Sequence, residues 1–250
     1  MTRGPMTNPR REAQKDLPAR GRLIARPGTP TGIIAPGLHT LTAGGARSQS
    51  TLLYVPAGYD PGRPAPLAVM LHGAGGTAEH GMSLLADLAD GAGLVLLAPS
   101  SRGPTWDVIA GGFGPDVMRL DAALDGVFAR CAVDPERVAV GGFSDGASYA
   151  LSLGVTNGDL FTHVIAFAPG FMAPGGQIGA PRFYVAHGTR DAVLPIDRCS
   201  RRLVPELRRA SYAVEYEEFD GPHTVPPAIA RTAVHWFTSA RSGDARDGAI

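Results

Sequence analysis

The chain has little cysteine, no long apolar run and no excess of either charge, and each shortage excludes something. Two cysteines in 250 residues, Cys131 and Cys199, are too few for a disulfide framework and too far apart for C-x-x-C chemistry, so both read as free thiols in the core or at helix ends. The 23 Lys and Arg balance 23 Asp and Glu, and no dense basic tract interrupts the apolar-patterned body, so nucleic acid is not an expected partner. No stretch approaches about 18 consecutive apolar residues, so no membrane insertion is expected. The arginines of the N-terminal "MTRGPMTNPRREAQKDLPARGR" have no apolar run behind them, as a signal peptide requires, and a cytoplasmic protein is expected. No metal-ligand set appears, and "GAGG" precedes no acidic ribose partner at dinucleotide spacing, so neither metal nor cofactor is expected.

What is present suits one large α/β domain. Residues 1–22 and 241–250 mix charge with Gly or Pro and are expected to be disordered tails, leaving a single domain over 23–240. "GLHTLTAGG" and "QSTLLYVPAG" alternate apolar and polar residues around a Gly-rich turn, which predicts an antiparallel hairpin. From residue 67 the pattern changes to short, nearly continuous apolar runs: "LAVMLHG", "GLVLLAP", "RVAVGGF", "HVIAFAPG", "RFYVAHG" and "AVEYEEF". Between them lie helical patterns at about 80–91, 116–131, 145–155, 196–210 and 224–240, with Asp116 and Asp197 as helix-start caps. Strands buried on both faces and alternating with helices predict a mostly parallel sheet with helices on both sides and the hairpin at its N-terminal edge.

The stretch "VGGFSDGAS" sets Ser144 between Gly142 and Gly146, with the strand "RVAVGGF" before it and a helical pattern after it. A serine on such a strand-to-helix turn projects its hydroxyl from the carboxyl edge of the sheet, over the positive end of a helix dipole. A hydroxyl is a weak nucleophile at neutral pH and needs a base, and the base needs an orienting group. Of seven histidines, His223 in "FDGPHTVPP" lies in the loop between the last strand and the last helix, where it can reach the serine. His39, His80, His163 and His235 fall within or near the ends of regular elements. Asp191 in "VAHGTRDAVLP" follows a strand between serine and histidine in chain order and is the expected acid, with His187 bracing it. Two backbone amides are the expected oxyanion donors, that of Asp145 after the serine and that of Ala74 in "LHGAGG".

On these motifs, and on a terminal helix with "HWF", the chain from about 50 to 240 resembles the α/β-hydrolase superfamily. Within it the resemblance is to serine esterases of the phospholipase/carboxylesterase group and to polyhydroxybutyrate depolymerase and feruloyl esterase-like proteins. The resemblance implies Ser144 as nucleophile, Asp191 as acid, His223 as base, and Ala74 and Asp145 as oxyanion donors. Many relatives have Gln or Ala where this chain has Asp145, a departure expected to slow anionic substrates or tune the histidine. Dienelactone-hydrolase chemistry, whose nucleophile is a cysteine, does not suit Ser144.

Only "GFMAPGGQIGAP" separates two of the strands where lipid-cleaving members insert a cap, so an open site for soluble short-chain or aryl esters is expected. Trp106 and Phe113, in "SSRGPTWDVIAGGFGPD", are candidates for an apolar wall beside the acyl group, as are Phe171 and Met172. The expected partner is a small-molecule ester. A thioesterase or small peptidase on the same triad, and a non-catalytic binding protein that kept the fold, stand as alternatives. The oligomeric state is not legible.

Overall fold

The structure, a computed structural model, describes residues 17–41 and 50–239. Residues 1–16 of the tail expected at 1–22, the tail expected at 241–250 and the turn of the expected hairpin lie outside the described residues.

Among the described residues eight strands form one sheet, in the order β1-β2-β4-β3-β5-β6-β7-β8. They are β1 Gly37–Leu41, β2 Thr51–Val55, β3 Ala65–Leu71, β4 Val95–Pro99, β5 Val133–Phe143, β6 His163–Phe167, β7 Arg182–Gly188 and β8 Val214–Phe219. β1 pairs antiparallel with β2, and β2 antiparallel with β4, while β4, β3, β5, β6, β7 and β8 run parallel. The central strands are buried along their length because both sheet faces are covered: every residue of β3, β4 and β6 is buried.

Among the described residues six α-helices cover the sheet: α1 Ala78–Ser83, α2 Ala86–Ala92, α3 Pro115–Phe128, α4 Asp145–Thr156, α5 Ser200–Arg209 and α6 Pro227–Thr238. α1, α2 and α6 pack their apolar residues, among them Met82, Ala89, Ile229 and Phe237, into one core layer. α3, α4 and α5 pack into the other, through residues such as Leu120, Leu151 and Leu203.

The helix expected over 80–91 is two helices, because Leu85 (φ −134°, ψ 0°) leaves the helical region to bury its side chain. The one expected over 196–210 begins as a 3₁₀ turn at Ile196–Arg198 and becomes α-helical at Ser200. The last starts at Pro227, since Pro226, preceding a proline, is held extended.

The two caps also resolve differently. Gly114 precedes α3, and the buried Asp116 in its first turn accepts the Arg102 and Asp107 amides. Asp107 in return accepts the Gly114 and Asp116 amides with its Oδ2. Asp197 is exposed and pairs with Arg201 at 2.8 Å.

Residues 17–22, expected in the disordered tail, instead pack on the domain. Arg22 reaches Asp159 at 2.8 Å and the Thr156 carbonyl, and the buried Asn157 side chain bridges the Gly21 carbonyl and the Leu23 amide. Asp159 is held well below the ordinary carboxyl range, chiefly by its hydrogen bond from Arg22.

Candidate active site

Ser144 caps β5 at φ +57°, ψ −119°, a left-hand conformation that a non-glycine residue adopts only where its surroundings enforce it. The enforcement is visible. The Ser144 amide donates to the Phe167 carbonyl of β6 at 2.9 Å, and α4 begins at the next residue. The flanking glycines make the turn possible: a Cβ on Gly146 would lie 2.2 Å from the Leu71 carbonyl oxygen, and one on Gly142 would lie 2.6 Å from the Gly146 carbonyl carbon. The glycines of G-x-S-x-G are therefore contacts between the first turn of α4 and the ends of β3 and β5.

His223 Nε2 lies 3.0 Å from Ser144 Oγ, and its Nδ1–H donates to Asp191 Oδ2 at 2.5 Å. The imidazole also packs on the Phe143 ring, centroids 4.6 Å apart. The three side chains predicted from sequence are thus in line, each on a different loop at the carboxyl edge of the sheet.

Asp191 has a second duty, because its Oδ1 accepts the Val193 and Leu194 amides at 2.9 and 2.8 Å. Burial alone would push its carboxyl upward; the hydrogen bonds from the Leu194 amide and His223 outweigh it and hold the group below its ordinary value. His187 is buried behind it, with Nε2 at 2.9 Å from the Leu194 carbonyl and 3.2 Å from Asp191 Oδ2, and Nδ1 at 2.6 Å from Ser200 Oγ. Two acceptors at Nε2 place a proton there, and burial, which lowers the imidazole below its ordinary value, keeps the ring neutral, so that the Ser200 hydroxyl donates to Nδ1.

The turn carrying Ala74 sits against the serine: a Cβ on Gly73 would lie 3.4 Å from Ser144 Cβ. Gly75 donates its amide to the Pro104 carbonyl and Gly76 to the Gly73 carbonyl, so among the described residues those amides are engaged within the protein. The loop 101–106 grips this turn from the other side. Ser101 donates its amide to His72 Nε2 at 3.0 Å, His72 Nδ1–H donates to the Gly73 carbonyl at 2.7 Å, and Trp106 Nε1 donates to the His72 carbonyl at 2.9 Å.

Thr105 then ties the same loop to Asp145, donating its hydroxyl to the carboxylate at 2.6 Å. The departure at Asp145 thereby has a structural use: the carboxylate beside the serine holds the loop that holds the Ala74 turn. Breaking this link with Thr105→Val is expected to lower kcat for an ester about tenfold with little change in KM. That is short of the ~10²–10³ that follows removal of a whole oxyanion donor. Steady-state kinetics read the split, and a rise in KM at constant kcat contradicts it.

The aromatic candidates divide. Trp106 is only 1% exposed; it stacks on Tyr149 at 5.2 Å and on His72 at 4.7 Å, so it is core beneath the Ala74 turn and presents no face to an acyl group. Its indole N–H needs a buried acceptor, and the His72 carbonyl is that acceptor. Phe113 packs on Tyr149 and lies over Gly21, part of the core margin rather than a site wall. Phe171 is half-buried, and its amide is held on Ser148, one helical turn from Ser144.

What holds that segment was not read from the sequence. Ser148, Ser152 and Thr156 stand four residues apart on one face of α4, and each donates to the helix carbonyl four residues back. Each also accepts an amide from the chain alongside: Gly170 to Ser148 at 2.9 Å, Ala173 to Ser152 at 2.9 Å and Gly175 to Thr156 at 3.0 Å. Hydroxyls at i, i+4 and i+8 in an otherwise apolar, buried helix were the available signal. They satisfy the amides of a segment with no regular structure, each of which would cost about 1–3 kcal/mol if buried unpaired.

His72 and His187 also set a pH dependence. Burial, the leading cause in both, lowers each imidazole below its ordinary value, and each is wired as a neutral ring. The unfolded chain therefore takes up these protons first as pH falls below about 6.5, and stability drops with it. The melting temperature is expected to fall between pH 7 and pH 5, and His72→Gln should flatten the slope while lowering the pH 7 value. Scanning calorimetry at several pH values checks this; an unchanged slope contradicts it.

The eight-stranded topology and the helix layers match solved structures. The crystal structure of S-formylglutathione hydrolase from Staphylococcus aureus aligns over 81% of this chain and 99% of its own, with a TM-score of 0.64 at 15% identity. The chain has an α/β-hydrolase fold. No family model matches it. Among curated proteins, this chain is similar to the putative esterase NocK of Nocardia uniformis subsp. tsuyamanensis, 33% identical over 162 residues, 56% of this chain and 45% of that protein. It is also similar to the probable feruloyl esterase C of Aspergillus terreus, 28% identical over 169 residues, 63% of this chain and 61% of that protein. The chain thus spans about half to three-fifths of the length of the curated relatives it matches. Among the described residues, no helix is long and apolar enough to cross a membrane.

Proposed function

We propose that this protein hydrolyses carboxylic esters through an acyl-enzyme formed on Ser144. The observation that carries the reading is the continuous relay from Ser144 Oγ through His223 to Asp191, at 3.0 and 2.5 Å, beside the turn that carries Ala74. The similarity to proteins named esterase and feruloyl esterase agrees with it.

In acylation, His223 Nε2 takes the proton of Ser144 Oγ as the oxygen attacks the ester carbonyl carbon. The carbonyl oxygen gains negative charge between the amides of Ala74 and Asp145, and collapse of the tetrahedral intermediate expels the alcohol, protonated by His223. Water, deprotonated by the same nitrogen, then attacks the acyl carbon; the Ser144 Oγ–acyl bond breaks, His223 returns the proton to Oγ, and the acid leaves. Asp191 keeps the proton of His223 on Nδ1 and stabilises the imidazolium formed at each step.

No helix stands between Phe167 and Arg182, so no helical cap is inserted there; the substrates proposed are soluble short-chain or aryl esters. A panel of oxygen esters, thioesters and amides with one acyl group tests the reading. The oxygen esters are expected to have the highest kcat/KM. Higher values for thioesters or amides assign the triad to the other leaving group, and no turnover of any contradicts the hydrolase.

A further inference from the structure

A cleft of about 410 Å³ opens beside His223, within the ~300–1,000 Å³ typical of small-molecule sites. Leu84 and Leu88 wall it from the α1–α2 side and Val225 from the chain entering α6, and the rings of Phe143 and His223 also line it. Ser144 does not. The cleft therefore lies on the α1, α2 and α6 side of the sheet, while the Gly170–Phe171 segment is docked on α4, on the other side. The serine and histidine stand between this cleft and that segment.

The chemistry assigns an end of the substrate to each. The Ser144 Oγ–carbon bond forms and the carbon–alkoxy bond breaks, and the proton taken up by Nε2 passes to the departing oxygen. That oxygen must come within about 3 Å of Nε2, so its substituent leaves past the imidazole. The acyl carbon stays bonded to Ser144, under the Ala74 and Asp145 amides and toward Phe171.

Resting on the esterase reading, we infer that the His223 cleft is the subsite for the alcohol half of the ester, and that it takes an uncharged alcohol with an apolar body of aryl size. The apolar body follows from the leucine, valine and phenylalanine walls. The absence of net charge follows from Asp87 and Arg231, one of each sign, both exposed and both lining the cleft.

The test uses two series on the full chain: acetate esters of methyl, benzyl and naphthylmethyl alcohols, and methyl esters of acids of increasing size. Leu88→Trp fills the cleft. It is expected to lower kcat/KM for the benzyl and naphthylmethyl acetates tenfold or more, the scale of losing an apolar pocket contact. Methyl acetate and the rate of fluorophosphonate labelling should stay as in the parent, since neither places a large leaving group there. An equal fall across alcohols, a fall that follows acyl size, or no change overturns the assignment. Arg231→Glu, on the exposed surface of α6, is the second variant if Leu88→Trp fails to fold. It should raise kcat/KM for an ammonium-bearing benzyl acetate over a carboxylate-bearing one by about threefold, as a reversed exposed charge does, with the neutral benzyl ester unchanged. An unmoved ratio overturns the assignment. If the unmodified protein neither labels with fluorophosphonate nor hydrolyses any ester, the esterase reading itself falls, a result distinct from these.

Discussion

A fluorophosphonate is expected to add a single adduct to this protein, and Ser144→Ala to abolish it together with nearly all ester turnover. Ser144 is the hydroxyl placed at once on a strained turn, 3.0 Å from an imidazole and at the first turn of a buried helix. Its neighbour Ser148 also lies within the site, but that hydroxyl is committed to the Ser144 carbonyl and the Gly170 amide. Loss of the nucleophile in well-studied triads costs about 10⁶ in kcat, leaving only what oxyanion donors and binding provide. Ser144→Ala keeps the Cβ and removes only the hydroxyl, so its folded state should survive; Ser144→Gly should melt higher, since glycine adopts φ +57° freely. Intact-mass measurement decides the matter: an adduct retained in Ser144→Ala places the nucleophile elsewhere.

The second large effect separates base from acid. His223→Ala is expected to lower kcat about 10⁶-fold and Asp191→Asn about 10⁴-fold, the scale of such losses in known triads. Asparagine keeps an oxygen for the Val193 and Leu194 amides but turns an N–H toward His223 Nδ1, and this forces the proton onto Nε2, where it cannot accept from Ser144. The double variant should be little worse than His223→Ala alone, because the two act on one proton. Additive losses would show two independent sites. Asp197→Asn is expected to be silent in kcat, since Asp197 is an exposed partner of Arg201. A larger fall for Asp197→Asn than for Asp191→Asn would move the acid.

The sequence by itself determined the sheet and the three polar side chains at its edge. Continuous apolar runs such as "LAVML" and "HVIAF" are buried because both faces of a parallel sheet are covered, and that requirement is local to each run. G-x-S-x-G was legible for the same reason: the glycines answer close contacts of one turn, at Leu71 and Gly146, with no dependence on distant loops. Chain order then placed Asp191 and His223 after the appropriate strands.

Only the tertiary structure decided which loop residues face the substrate. Trp106 and Phe171 look equivalent in sequence, as aromatics in Gly- and Pro-rich segments. One is buried because its indole N–H finds the His72 carbonyl across the chain, and the other is left half-buried because Ser148 anchors the backbone around it. Asp116 likewise carries the signature of a helix start, yet its carboxylate serves the amides of Arg102 and Asp107. These outcomes depend on which buried amides and carbonyls need partners once the sheet has formed. Such partnerships join residues distant in the chain, and hydrophobic periodicity carries no record of them.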